Sequence, residues 1–190
     1  MFLLRAGRWA ALLTALFLSG AQAQDGERHK VCAGCHGADG ISRIAGTPSL
    51  AGQPRVFLEN YLVLAREGIA GTDVMRQLLR GVPDKDIVAL AKHFSALASR
   101  SDFGSVDKKL FQKGKETASK NRCGSCHLPD FRGWKQMPRL AGQREEYLAG
   151  AMFAYRQNRR PGGDTIMAAS LYGIPDADIK ALAHYLSRLR

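Results

Sequence analysis

The chain has 190 residues and a formal net charge of +11. That length is enough for two small domains, each lean in the apolar surface it can bury unaided. The basic balance does not point to nucleic acid, because no motif interleaves aromatic and basic residues for recognition.

Residues 1–23 read as a cleaved targeting segment. Arg5 and Arg8 form a basic start, Ala10–Leu18 is an apolar run, and Ala21-Gln22-Ala23 is a small-residue cleavage site. The run is short for a membrane anchor, and no second apolar stretch follows it. The mature chain is therefore expected to begin near Gln24, in the periplasm.

Cys32-Ala33-Gly34-Cys35-His36 comes next, then Leu50-Ala51-Gly52-Gln53. Phe57, Leu58, Tyr61, Leu62 and Ala65 predict a helix with one apolar face over residues 54–66. Asp84, after Pro83, is the expected N-cap of a last helix whose stripe is Ile87, Leu90, Ala91, Phe94 and Leu97. Residues 99–107 are small and polar, the natural linker. A helix over 108–119 leads into Cys123-Gly124-Ser125-Cys126-His127. The downstream order then repeats: Leu140-Ala141-Gly142-Gln143, a helix over 144–156, and a last helix after Pro175 and Asp176. Gly81–Ala91 matches Gly173–Ala183 almost residue for residue, so one unit is used twice. No β pattern stands out, and the expected fold class is all-α.

The two Cys-x-x-Cys-His segments carry the chemistry. On one turn of helix the two cysteines face the same way, each able to form a thioether with a haem vinyl group, and the histidine next to them meets the iron. Cys32, Cys35, Cys123 and Cys126 are the only cysteines, so none remains for a disulfide or a nucleophile. Zinc is the competing occupant of paired Cys-x-x-Cys, but zinc ribbons bring their pairs closer together and need no histidine after each. Two covalent haems c are predicted, with His36 and His127 as iron ligands. A held porphyrin would also supply the core that so small a domain lacks, so the haem-free chain is expected to be largely unfolded.

The register of the repeat finds the other axial ligands. Met75 lies twelve residues before Ile87, and Met167 twelve before Ile179. Met137 and Met152 align with Thr47 and Leu62, so neither has a methionine counterpart, and Met152 reads as a core filler. Bis-histidine ligation would have to use His29, His93 or His184; the last two fall on the final helices, at positions expected to be solvent-facing or remote from haem. Histidine–methionine ligation favours the ferrous state and leaves no open position for a substrate. Gln53, Gln143, Arg66 and Arg156 recur at matching positions, and either bond haem propionates or serve as caps and surface groups.

With these residues placed, the chain resembles the cytochrome c4 family over nearly all of residues 24–190. The resemblance implies two tandem class I cytochrome c domains, here 24–98 and 108–190 joined by the linker 99–107, related by a pseudo-twofold axis. It carries the iron ligands over as His36 with Met75 and His127 with Met167. It also implies that Pro48 and Pro138 offer their carbonyls to the two ligand imidazoles. Two departures stand out. The second motif runs on as Leu128-Pro129-Asp130-Phe131 where the first has Gly37-Ala38-Asp39-Gly40. The stretch from Tyr147 to Arg159-Arg160-Pro161, like the short lead-in to Cys32, is similar to the dihaem cytochrome subunit of flavocytochrome c sulfide dehydrogenase.

The expected function is electron transfer rather than catalysis, as a free carrier shuttling electrons toward an oxidase or other acceptor, peripheral to membrane complexes. The alternative is a non-catalytic subunit taking electrons from an FAD-containing partner. Charge is uneven: residues 24–98 hold 9 Lys and Arg against 8 Asp and Glu, and residues 99–190 hold 17 against 9. A basic second domain suits an acidic redox partner.

Overall fold

The computed structural model describes residues 27–100 and 104–190. The targeting segment expected at 1–23 lies outside the described residues, as do residues 101–103 of the expected linker. The first half contains α1 (Arg28–His36), α2 (Arg55–Arg66), α3 (Asp73–Leu79) and α4 (Asp84–Ala96). The second contains α5 (Lys108–Lys120), α6 (Gly124–His127), α7 (Glu145–Arg156), α8 (Thr165–Leu171) and α9 (Asp176–Ser187). Among the described residues there is no strand, only a bridge between Trp134 and Met137. None of these helices is long and apolar enough to cross a membrane.

Spacing of apolar residues by three and four decides which face each helix buries. Leu58, Leu62 and Ala65 of α2 meet Ile87, Leu90, Ala91 and Phe94 of α4 in one core. Leu148 and Met152 of α7 meet Ile179, Leu182 and Leu186 of α9 in a second. Each half thus closes its own core. The start of the last helix differs by one residue from expectation: Pro83 and Pro175 are the N-caps, without side-chain cap bonds, and Asp84 and Asp176 are the first helical residues. Their carboxylates turn back to Arg66 Nη1 at 2.6 Å and Arg156 Nη2 at 2.5 Å.

α5 has a true cap in Asp107, whose Oδ1 accepts from the amides of Lys109 at 2.9 Å and Leu110 at 3.0 Å. α5 then crosses α9 so closely that a Cβ on Gly114 would lie 2.1 Å from the Ala181 carbonyl oxygen. Tyr185 packs edge-on against Phe111 and Phe131 around this crossing. In the first half α1 is shorter and already carries the haem motif. It is tied to α4 by Arg28 on Asp86 at 2.7 Å and by His29 stacked on His93 at 4.3 Å.

The halves meet at their two Leu-Ala-Gly-Gln turns. In each turn the glycine takes a positive φ, 67° at Gly52 and 69° at Gly142, and donates its amide to the last helix of its own half, at Phe94 and Leu186. The glutamines then reach across. Gln143 Oε1 accepts from the Ser49 amide and its Nε2 donates to the Ser49 carbonyl, both at 2.8 Å. Gln53 makes the mirror pair with Arg139, at 3.0 and 2.9 Å. This reciprocity is what a twofold relation between the halves requires.

Candidate haem-binding sites

α1 carries Cys32 and Cys35 on its last turns and ends on His36, while Cys123 is the N-cap of the single-turn α6 that ends on His127. Both histidines are buried, 6% and 4% exposed. His36 Nδ1–H donates to the Pro48 carbonyl at 2.8 Å, and His127 Nδ1–H donates to the Pro138 carbonyl at 3.0 Å. That bond fixes the tautomer and leaves Nε2 as the lone-pair nitrogen. Burial holds both imidazoles below the ordinary histidine range, and the proline carbonyls offset it only in part. His127 Nε2 is buried with no hydrogen-bond partner. An orphaned, unprotonated imidazole nitrogen is what an iron ligand presents.

The cysteines fit covalent attachment. All four are free; Cys35 and Cys126 are exposed, while burial pushes the half-buried Cys32 and Cys123 thiols up from their ordinary value. Cys32 packs against the first core and Cys123 against the second, so the two pairs do not converge on one zinc. Among the described residues no cluster of His, Cys, Asp and Glu has metal-holding geometry of its own. The residues fit haem c, and the group would be held by its thioethers and by Nε2.

Met75 and Met167 sit at matching points of α3 and α8, half-buried, and line the same cores as Cys32 and Cys123 respectively. Neither helix, at seven residues, is long enough for an apolar period to declare it. The signal that could have found them is the capping residue: Thr72 Oγ1 accepts from the Met75 amide at 3.3 Å, and Asp164 Oδ1 accepts from the Ile166 amide at 2.6 Å. Met152 is buried in the second core, and Met137 is half-buried in the turn with Trp134.

The free histidines are otherwise engaged. His184 is buried rather than solvent-facing: its Nε2 accepts from the Asp107 amide at 3.0 Å and its Nδ1 lies 3.1 Å from Glu145 Oε2, so both nitrogens are spent on packing. His29 and His93 stack on each other. Arg66 and Arg156 hold the loops before the last helices, at the carbonyls of Val82 and Ile174 as well as at Asp84 and Asp176. Gln53 and Gln143 bridge the halves. Arg160 turns inward, donating to the Tyr147 hydroxyl at 2.8 Å with its guanidinium over the Tyr155 ring.

The comparisons with known proteins agree with this geometry. Residues 111–190 match the cytochrome c family. Cytochrome c4 of Pseudomonas aeruginosa is 30% identical over 93% of each chain. The thiosulfate dehydrogenase electron acceptor of Stutzerimonas stutzeri is 28% identical over 93% of this chain and 92% of that one. The crystal structure of reduced cytochrome c4 from Pseudomonas stutzeri superposes with a TM-score of 0.80 at 27% identity, covering 87% of this chain and 97% of that one. The cytochrome subunit of sulfide dehydrogenase from Chlorobaculum tepidum is also similar, but over only 37% of this chain and 63% of its own length, at 31% identity. Two buried histidines on Cys-x-x-Cys-His motifs, set in two tandem helical domains, accord with what the relatives show: this is an electron-transfer protein with two haems c, and the chain belongs to the cytochrome c4 family.

Proposed function

We propose that the protein is a periplasmic dihaem carrier, exported by a signal peptide cleaved near Ala23, whose domains span 24–98 and 108–190. In this reading His36 with Met75 and His127 with Met167 hold the two irons, and the protein is not itself an enzyme. The observation that carries it is the pair of buried imidazoles, each pinned through Nδ1 to a proline carbonyl. When bound, each haem supplies an iron that passes between ferric and ferrous states. The chain's own contribution is to fix the axial groups. The proline carbonyls hold each ring in one tautomer and orientation, burial keeps water from the histidines, and the thioethers of Met75 and Met167 favour the reduced state.

The electron donor is proposed to be a dehydrogenase with an acidic docking face, and the acceptor an oxidase or another redox protein at the membrane. The relative that serves as electron acceptor of a thiosulfate dehydrogenase supports the donor's class, and the excess of Lys and Arg in the second half supports the sign of its surface. The subunit reading, with an FAD-containing donor, has the likeness to the sulfide dehydrogenase cytochrome in its favour. Arg160, half-buried against Tyr147, is not free for such docking.

Two measurements test this. Gentle purification from the native host should give two haems per chain and no flavin; stoichiometric flavin on a co-eluting chain would establish the subunit reading instead. Met75→Ala and Met167→Ala should each open one iron to carbon monoxide and lower its potential. Met152→Ala should leave the visible spectrum unchanged and cost about 2–5 kcal/mol of stability. A changed spectrum in Met152→Ala would overturn the ligand assignment.

A further inference from the structure

The peptide between Pro48 and Ser49 is engaged on both sides. Its carbonyl accepts from His36 Nδ1 at 2.8 Å, and its N–H donates to Gln143 Oε1, in the other half, at 2.8 Å. The peptide between Pro138 and Arg139 repeats this: its carbonyl takes His127 Nδ1 at 3.0 Å and its N–H reaches Gln53 Oε1 at 3.0 Å. Each glutamine is buried, 5% exposed at Gln53 and 4% at Gln143, and its own amide group closes a second bond on the same residue's carbonyl. Two histidines are thus linked, each through a single peptide, to a side chain of the opposite half.

Resting on the ligand reading above, we infer that Gln53 and Gln143 are positioning residues that set the electron donation of the opposite half's proximal histidine. A peptide whose N–H is bonded carries more negative charge on its oxygen, and in a buried setting such bonds strengthen one another. That oxygen then draws harder on the imidazole Nδ1–H. The ring gains anionic character, donates more strongly through Nε2, and favours the ferric state. Gln143 therefore acts on the haem at Cys32 and Cys35, and Gln53 on the haem at Cys123 and Cys126. The interface between the halves becomes part of each redox centre. A contact that shifts one half against the other would move both potentials, without touching either haem.

A purely adhesive role for the glutamines makes a different forecast, because loosening the interface affects both halves alike. The test uses the full-length holoprotein with Gln143→Leu and Gln53→Leu, each checked for two haems per chain. The readouts are the two haem potentials and, in the ferric protein, the proton resonances of the two ligand imidazoles. Gln143→Leu should raise the potential of the first haem and shift the His36 ring signals, leaving the second haem near its parent value. Gln53→Leu should do the reverse. Should either variant lose a haem, Gln143→Asn and Gln53→Asn, which keep the amide but shorten its reach, should show the same crossed pattern. Equal shifts at both haems, or none at either, overturn the inference. If the His36 and His127 ring protons of the parent carry no paramagnetic shift, it is the ligand reading that fails instead.

Discussion

After His36 the chain turns through Gly37 and Gly40, at φ of 84° and 71°, whereas after His127 it makes the same turn through Leu128 and Phe131, at 68° and 56°. In both halves this turn returns the chain so that the Leu-Ala-Gly-Gln amides bond to its last residue, Gly40 or Phe131. A Cβ on Gly37 would strike the Ile41 carbonyl oxygen at 2.3 Å, so the first half admits only glycine there. The second half accepts side chains in a region of backbone space that costs a non-glycine residue about 1–3 kcal/mol. Phe131 offsets its cost by burial, 5% exposed and edge-on to Tyr185. What the site demands is a backbone path out of the Cys-x-x-Cys-His motif, and each half meets that demand with different residues. The first helix differs too: α5 grips α9 through a glycine crossing, whereas α1 is held to α4 by an ion pair and a stacked histidine pair.

The largest effect expected from this contrast is at Gly114. Gly114→Ala places a methyl against the Ala181 carbonyl oxygen and Tyr185, and should cost more than the roughly 1–3 kcal/mol of ordinary overpacking. Denaturant unfolding followed at each haem should show the loss confined to the second half. A loss shared equally would mean the halves unfold as one.

The ion pairs on the last helices come next. Asp86 and Asp178 are repeat equivalents, but Asp86 is 5% exposed and 2.7 Å from Arg28, while Asp178 is 23% exposed and 3.3 Å from Lys113. Arg28→Ala strands a buried carboxylate and should cost about 1–3 kcal/mol. Lys113→Ala should cost about 1 kcal/mol or less. Comparable losses in urea titrations would show that burial does not separate the two pairs.

Leu128→Gly should relieve the strained turn and stabilise the second half by up to about 1 kcal/mol, once the added freedom of the unfolded glycine is deducted. A destabilised variant would mean that the Leu128 side chain contributes more by packing than its backbone loses.

The smallest effect is the pH response of His93. Burial, and then the charge of His29, hold its imidazole below the ordinary value of 6.5. The folded state thus prefers the neutral ring, so this contribution is complete above 6.5 and is lost as the pH falls below it. The unfolding midpoint of the first half should drop between pH 7.5 and pH 5, and His93→Gln should flatten that drop.

Much of the molecule is legible in the chain itself. The haem motifs are read from five consecutive residues because the attachment chemistry is local. The long helices are read from the spacing of Leu58, Leu62 and Ala65 or of Ile87, Leu90 and Phe94, since one buried stripe is enough to declare them. α3 and α8 span seven residues each, too few for a period to show, and only their caps at Thr72 and Asp164 betray them. Pro83 and Pro175, extended at ψ of 154° and 153°, hold the cap positions expected of Asp84 and Asp176, whose carboxylates pair instead with Arg66 and Arg156, distant in sequence. His184 is a buried tie to Asp107 and Glu145, partners 77 and 39 residues away that no local pattern announces.

By itself the sequence determined the cofactor, the helical class and the twofold repetition, because motif spacing and periodicity are properties of neighbours along the chain. Only the tertiary structure decided what the repeated glutamines do. Their partners lie 86 and 94 residues away, and a buried amide takes its role from whichever unpaired peptide the fold brings to it.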